Sequence, residues 1–313
     1  MEAASTAAGA RAVPNLGAAR RRWGESAIKA LLILATLISV LTTTGIVVAL
    51  LRETIDFFSE VGVWDFLSGG KWTPLFEPPS FGVRPLVIGT LLITGIALLV
   101  AAPLGLGAAI YLSEYARPRV RKTIKPALEV LAGVPTIVFG YFALTFFTPN
   151  ILQDLLHVKV NIFNALAAGI IMGFMIIPTV ASVAEDAMSA VPQSLREGAY
   201  GLGASKLHVS LRVVFPAALS GIVAAIVLGI SRAVGETMIV LVASGQVASN
   251  SLNPADPHYS LASFIGSTAG GDTPTGSIEY KTIFAVGSLL FVITLIMNLI
   301  SIRFVRKYRQ VYE

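Results

Sequence analysis

The sequence contains no cysteine. Disulfides, thiolate metal sites and a cysteine nucleophile are therefore excluded. Charge is scarce as well. Asp, Glu, Lys and Arg make up 13% of the 313 residues, about half the share of a typical soluble domain. A soluble chain of this length needs a charged shell that these residues cannot supply. The three histidines, His157, His208 and His258, lie far apart in loop-like stretches. They are expected to be solvated or interfacial rather than metal ligands. The phosphate-cradling pattern G-x-x-x-x-G-K-[ST] is missing: Gly69-Gly70-Lys71 is followed by Trp72, and Gly198 to Gly203 runs on into Ala204-Ser205. Neither ATP binding nor any resident cofactor is expected, and no nucleophile–base or metal constellation suggests an enzyme. The first apolar run is too long for a signal-peptide core and has no small-residue cleavage site at its end.

Apolar residues are abundant, at 55% of the chain. They come in six long blocks: Ile28–Leu51, Pro85–Leu112, Pro126–Phe147, Ile162–Ala184, Ala218–Ala243 and Thr282–Phe304. Each reaches the ~20 residues needed to cross a hydrocarbon core. Backbone groups in lipid must be satisfied within the segment, so all six are read as helices. Pro103, Pro135 and Pro178 fall inside them. Such prolines break soluble helices, but neighbouring helices and waters can satisfy the freed groups in a bundle. The expected fold is an all-α polytopic membrane protein. Residues 1–25, Ala/Gly/Arg-rich without apolar period, are expected to be a disordered cytoplasmic tail. Residues 26–313 form the membrane domain, with an outer loop at 52–84 and a cytoplasmic loop at 185–217.

Orientation follows from the distribution of Lys and Arg. Seventeen lie in the two termini and in loops 113–125 and 185–217, and five in loops 52–84, 148–161 and 244–281. Both termini are therefore predicted to be cytoplasmic in a multi-pass inner-membrane topology. The net charge of +5 reflects this asymmetry and gives no reason to expect nucleic acid. The aromatics of loop 52–84, among them Phe57, Phe66, Trp64 and Trp72, suit an interfacial belt or a docking face for an external protein. Loop 244–281, rich in Ser, Gly, Asn, Asp and Pro, predicts mostly irregular structure.

Loop 185–217 is too long for a plain connector. Pro192 suits a first helical turn. Leu195, Tyr200 and Leu202 supply an apolar edge, and Gly201 and Gly203 interrupt it. A second phase then carries Leu207, Leu211 and Val214 at i, i+4 and i+7 until Pro216 ends it. Two short helices around a glycine turn at the membrane surface suit insertion into a groove on a soluble partner.

Here the sequence resembles a known family. Glu197-Gly198-Ala199-Tyr200-Gly201-Leu202-Gly203, then nine residues, then Val213-Val214-Phe215-Pro216, is similar to the "EAA" loop of ABC-importer permeases. Gly198, Val213 and Phe215 depart from that pattern, and Gly198 costs the first helix about 1 kcal/mol relative to alanine. The resemblance implies that this loop forms coupling helices on an ATPase subunit. Glu197, Gly198, Ala199, Gly203 and Pro216 are then the candidate coupling residues. Glu197 is expected to orient the first helix through polar contacts, and Gly203 to permit the turn.

The fifth block holds the only basic residue in the interior of a predicted span, away from its ends. Arg232 and Glu236 are four apart and can pair on one helical face. On a continuous helix they lie within the stripe formed by Gly221, Ala225, Gly229 and Ala233, which is able to pack closely. Facing lipid would cost at least ~2.5 kcal/mol per charge, so both should point into the bundle or a pathway. They are read either as a substrate pathway or as a packing ion pair. The stretch Arg232-Ala233-Val234-Gly235-Glu236-Thr237-Met238 resembles the C-type permeases of phosphate-specific transport systems. So do Phe81-Gly82-Val83-Arg84-Pro85-Leu86, Gly89-Thr90, and Glu129 through Gly133 to Pro135-Thr136. The resemblance runs from about residue 23 to the end of the chain. It implies six spans in an importer bundle and a role for the Arg232–Glu236 pair in moving inorganic phosphate. The implied partners are a second, A-type permease, an ATPase dimer on 185–217, a periplasmic phosphate-binding protein and membrane lipid. The competing readings are a permease for another oxyanion, a secondary transporter, and a phosphate-status sensor or scaffold. Cysteines placed at Gly70 and at Arg119 of this cysteine-free chain should be labelled from opposite sides of the membrane. Labelling of both from one side would refute the topology.

Overall fold

The computed structural model describes residues 23–308, so most of the tail expected over 1–25 lies outside the described residues. Trp23 already starts α1 (Trp23–Glu60). By internal contacts the chain divides at Ala49/Leu50. The first unit contributes the start of α1, whose apolar side chains are exposed along its length, Leu31 and Leu41 among them. Full exposure of leucine on a helix is tolerated where lipid is the solvent.

The second unit begins within α1 and continues through α2 (Val63–Ser68) and a small hairpin, β1 (Trp72–Thr73) and β2 (Ser80–Phe81). The hairpin is antiparallel, with Trp72 opposite Phe81. Next come α3 (Arg84–Ile110), α4 (Pro118–Ala132), α5 (Thr136–Phe142), α6 (Ala165–Ser189), α7 (Gln193–Gly201), α8 (Lys206–Val209) and α9 (Phe215–Ala217). Wider π-type turns prolong α3 through Tyr111–Tyr115, carry α5 on through Ala143–Leu155 and join α8 to α9 through Ser210–Val214. The chain closes with α10 (Leu219–Val234), α11 (Met238–Ala243), α12 (Leu261–Ala269) and α13 (Ile278–Tyr308).

Among the described residues, four helices are long and apolar enough to cross a membrane, and two bent helix pairs raise the number to six if each pair is one crossing. Two of the expected continuous helices are broken. Pro126–Phe147 divides at Gly133-Val134-Pro135, where α4 and α5 meet at 84°. Pro135 has no N–H to continue the ladder of α4, and its ring opposes the carbonyl one turn back. Ala218–Ala243 divides at Gly235-Glu236-Thr237 between α10 and α11. Pro103 and Pro178 stay inside unbroken helices.

The centre of the second unit is the contact of α3 with α6. An added Cβ at Gly169 would lie 2.7 Å from Ile96, one at Gly173 2.7 Å from Val100, and one at Gly105 2.9 Å from Val180. The partners rise together along both helices, so α3 and α6 run parallel with backbones in close approach. α10 returns antiparallel across α6: Gly221 faces Ala187, and Gly229 faces Val180 and Ile176. The small-residue stripe expected on this helix is the face that packs.

Of the aromatics at the end of α1 and before α3, Trp64 and Phe76 are exposed, but others are internal. Phe57, Phe66 and Trp72 are buried with Val83, Leu86, Tyr259 and Phe264 in a single cluster. Phe57 meets Phe66 edge-on at 5.7 Å, and Trp72 meets Phe264 at 4.9 Å. An aromatic ring buries more area inside such a cluster than at an interface. The segment between α11 and α13, expected to be irregular, contains α12. Its first turn is closed by a capping box of Ser260 and Ser263. His258, expected to be solvated or interfacial, is fully buried. Its backbone N–H donates to the Ser244 carbonyl at 3.0 Å, and Nε2 faces the Asn253 carbonyl oxygen at 3.2 Å. It ties the α11–α12 loop to the end of α11. Thr54 joins α1 to α13, donating to the Phe284 carbonyl at 3.0 Å beside Ser288 Oγ at 2.7 Å.

Phe66→Ala should lower stability by about 3–5 kcal/mol, the usual cost of emptying a buried phenyl site. Trp64→Ala, at a side chain 77% exposed, should change it by less than about 0.5 kcal/mol. Thermal unfolding of the purified chain separates the two, and equal losses would contradict the internal core.

Candidate functional site

Arg232 sits in the last turn of α10, where a cation suits the helix dipole. Its guanidinium donates from Nη1 to Thr179 Oγ1 on α6 at 2.9 Å. The expected ion pair with Glu236 is not formed, because the two residues do not share one helix. α10 ends at Val234, and the chain turns through Gly235. Glu236, largely buried, turns its carboxylate onto the start of α11. Its Oε1 accepts from Met238 N at 3.1 Å and Ile239 N at 3.2 Å. Both are donors that a helix start leaves without intrahelical partners. The wheel that aligned the two charges holds as far as Ala233 and fails at the break. Gly140 of α5 lets that helix meet α11 closely, since an added Cβ would lie 3.1 Å from Met238 O and Ile239 Cα.

The second candidate region is the connector 185–217. α7 ends in a glycine-closed turn. Gly203 has φ +81, Gly203 N donates to Tyr200 O at 2.9 Å, and Ala204 N donates to Ala199 O at 3.1 Å. These two bonds form the Schellman closure, which needs a left-handed residue at this position. Ser205 then caps α8 by accepting from His208 N at 3.3 Å. Pro216 does not end the second helix as expected. The π-type turn Ser210–Val214 widens the ladder just before it, and the chain bends only at Ala218, by 75° onto α10. Leu195, Tyr200, Leu207 and Leu211 are exposed, and Leu202 is 91% exposed. A recess of about 540 Å³ lies between Ala199, Gly203, His208 and Val213. Gly198 sits in open space on α7.

Glu197 is exposed and makes no polar contact among the described residues. The residue that orients α7 is its neighbour, Arg196. This side chain is buried, donates to Glu114 Oε1 from Nη2 at 3.0 Å and Nε at 3.3 Å, and reaches the Met188 carbonyl at 2.8 Å and that of Val191. A second buried carboxylate, Glu185 of α6, is held by Arg121 and by Lys125 at 2.8 Å, both from α4. Residue type alone gave no sign of either cluster, since their partners lie some 60 to 80 positions away.

Residues 101–310 match the model of the family described as binding-protein-dependent transport system inner membrane component. The chain belongs to this family. It is 35% identical over 79% of both chains to the probable ABC transporter permease protein YqgH of Bacillus subtilis (strain 168). It is 32% identical, over 92% of this chain and 95% of the other, to the phosphate transport system permease protein PstC of Haemophilus influenzae. The fold matches a bacterial ABC transporter chain from a system importing the acidic polysaccharide alginate, with TM-score 0.62 over 92% of this chain and all of that one, at 16% identity. The protein is thus a multi-pass permease subunit of an ABC importer, and its chemistry is passage rather than catalysis. Among the described residues, no group of three His, Cys, Asp or Glu is placed to hold a metal.

In this permease a side chain at Gly203 would meet open space, so any penalty there comes from the positive φ alone. Gly203→Val should strain the turn by more than about 1 kcal/mol and reduce ATP-dependent uptake or assembly. Gly198→Ala should leave both intact. Normal assembly and uptake in Gly203→Val would remove the turn from the coupling role expected of it.

Proposed function

We propose that this permease forms, with a second, A-type permease, the route of an ATP-driven importer of inorganic phosphate. Arg232 lies on that route, the connector 185–217 docks on a dimeric ATPase in the cytoplasm, and an external phosphate-binding protein delivers the substrate. Both termini face the cytoplasm. The observation that carries this reading is Arg232: a guanidinium within a predicted span whose described partner is a neutral hydroxyl. No carboxylate among the described residues pairs with it directly, which suits a passing anion. The guanidinium fork pairs well with tetrahedral oxyanions. The likeness to the Haemophilus phosphate transport system permease supports phosphate as that anion. The exposed apolar edge of the connector, led by Leu202, supports a docked partner, because such a surface is costly to leave in water.

The test is uptake of labelled phosphate by vesicles carrying the whole complex, with sulfate and molybdate as competitors. Arg232→Gln should cut uptake at least tenfold, about 1.4 kcal/mol in barrier height, with the complex assembled and the external protein's affinity unchanged. Glu236→Gln retains an oxygen for both α11 donors and should keep assembly intact. Full uptake in Arg232→Met would remove Arg232 from the route. Stronger competition by molybdate or sulfate than by unlabelled phosphate would reassign the substrate.

A further inference from the structure

The connector must pass a force as well as bind a partner, and its first short helix, α7, has a hydrogen-bonded fastening through which it can. The main packing of α7 is on the segment that follows it, α8 and the Ser210–Val214 turn. Among the described residues of α7, Arg196 is the one whose side chain hydrogen-bonds to the long helices. Its partners come from two of them. Glu114 belongs to the π-type turn that ends α3, and Met188 lies in the last turn of α6, with Val191 just beyond. Because α3 and α6 run parallel, these ends fall together, and one planar guanidinium spans both. The carbonyls are of the kind a helix end leaves without partners, and the carboxylate is nearly inaccessible, 5% exposed. Ser113 Oγ also donates to Glu114 Oε1 at 3.0 Å and helps hold it.

We infer that Arg196 is a positioning residue for coupling: it clamps α7 to the joined ends of α3 and α6, so that movement imposed on the connector is carried into the pair. Arg196 is buried and Glu197 exposed. The helix therefore turns one residue to the spans and the next toward the proposed ATPase. The route continues without a gap. α6 carries Thr179, which holds Arg232, and Gly221 and Gly229 seat α10 on the same helix. The fork is what matters. Lysine at 196 keeps the charge but cannot reach a carboxylate and two carbonyls from fixed, coplanar donors.

This inference rests on the importer reading, and two measurements on the assembled complex separate them. The first is phosphate taken up per ATP hydrolysed. Arg196→Gln should still assemble and hydrolyse ATP within about twofold of the parent, with uptake per ATP at least tenfold lower. Glu114→Gln and Arg196→Lys should fall between. The second does not depend on the substrate. In this cysteine-free chain, spin labels at Ser194→Cys on α7 and Leu104→Cys on α3 should give one narrow distance that stays fixed when nucleotide is added. Arg196→Gln should broaden it or make it nucleotide-dependent. Equal proportional losses of hydrolysis and uptake, failure of all three variants to assemble, or a parent distance that shifts with nucleotide as far as the variant's would overturn the clamp. A parent complex that keeps the fixed distance but imports no phosphate would overturn the substrate and leave the clamp standing.

Discussion

The close approach of α3 to α6 is the contact on which the other placements depend. Lipid offers no hydrophobic reward for joining two apolar helices, so association needs backbone proximity and dense packing. Gly105, Gly169 and Gly173 supply the proximity, with Ile96, Val100 and Val180 filling the space where side chains would stand. Once the pair is set, α10 has a surface for its own glycines. The α11–α12 loop crosses α3 at Gly89, where an added Cβ would lie 2.3 Å from the Tyr259 carbonyl oxygen. Thr90 Oγ1 accepts from Leu261 N at 2.9 Å and fixes the start of α12. The parallel direction of the pair has a further consequence: both helices deliver their last turns to the same place, where Arg196 can bind them together.

Much of this arrangement was legible in the sequence, and the failures have a common cause. Segment length and composition located the apolar blocks, because crossing a bilayer imposes a minimum length whatever the tertiary structure. The connector was legible because helix–turn–helix spacing and the positive φ at Gly203 depend on local sequence. Periodicity assumes an unbroken helix, so it missed the breaks at Gly133–Pro135 and at Gly235–Thr237. The second break exposed an error of partnership as well. A carboxylate four residues from an arginine has two options, and the free N–H groups of Met238 and Ile239 compete for it. The aromatic segment before α3 was read as surface because its partners, Tyr259 and Phe264, lie some 200 residues further on. His258 was misjudged and Arg196 overlooked for the same reason, since burial by distant chain leaves no mark on local composition.

The break between α10 and α11 also bears on how an anion could be released. A guanidinium paired with a carboxylate would present little net charge to a passing oxyanion, and a bare one would hold it too long. Conduction requires sites that attract and still let go. The structure lies between those limits. Glu236 gives its lone pairs to two backbone N–H groups, so it does not neutralise Arg232 directly, but it remains four positions away as a fixed negative charge. Thr179 orients the guanidinium without cancelling it. Because Thr179 belongs to α6, and α6 is fastened to the connector through Arg196 at its end, a shift of α6 by a fraction of a helical turn would change the hydroxyl's hold on the arginine. In the proposed importer, the strength of the anion site is thus set by the same helix that receives the push from the connector. Binding and release then follow from the position of one rigid element, with no second switch needed.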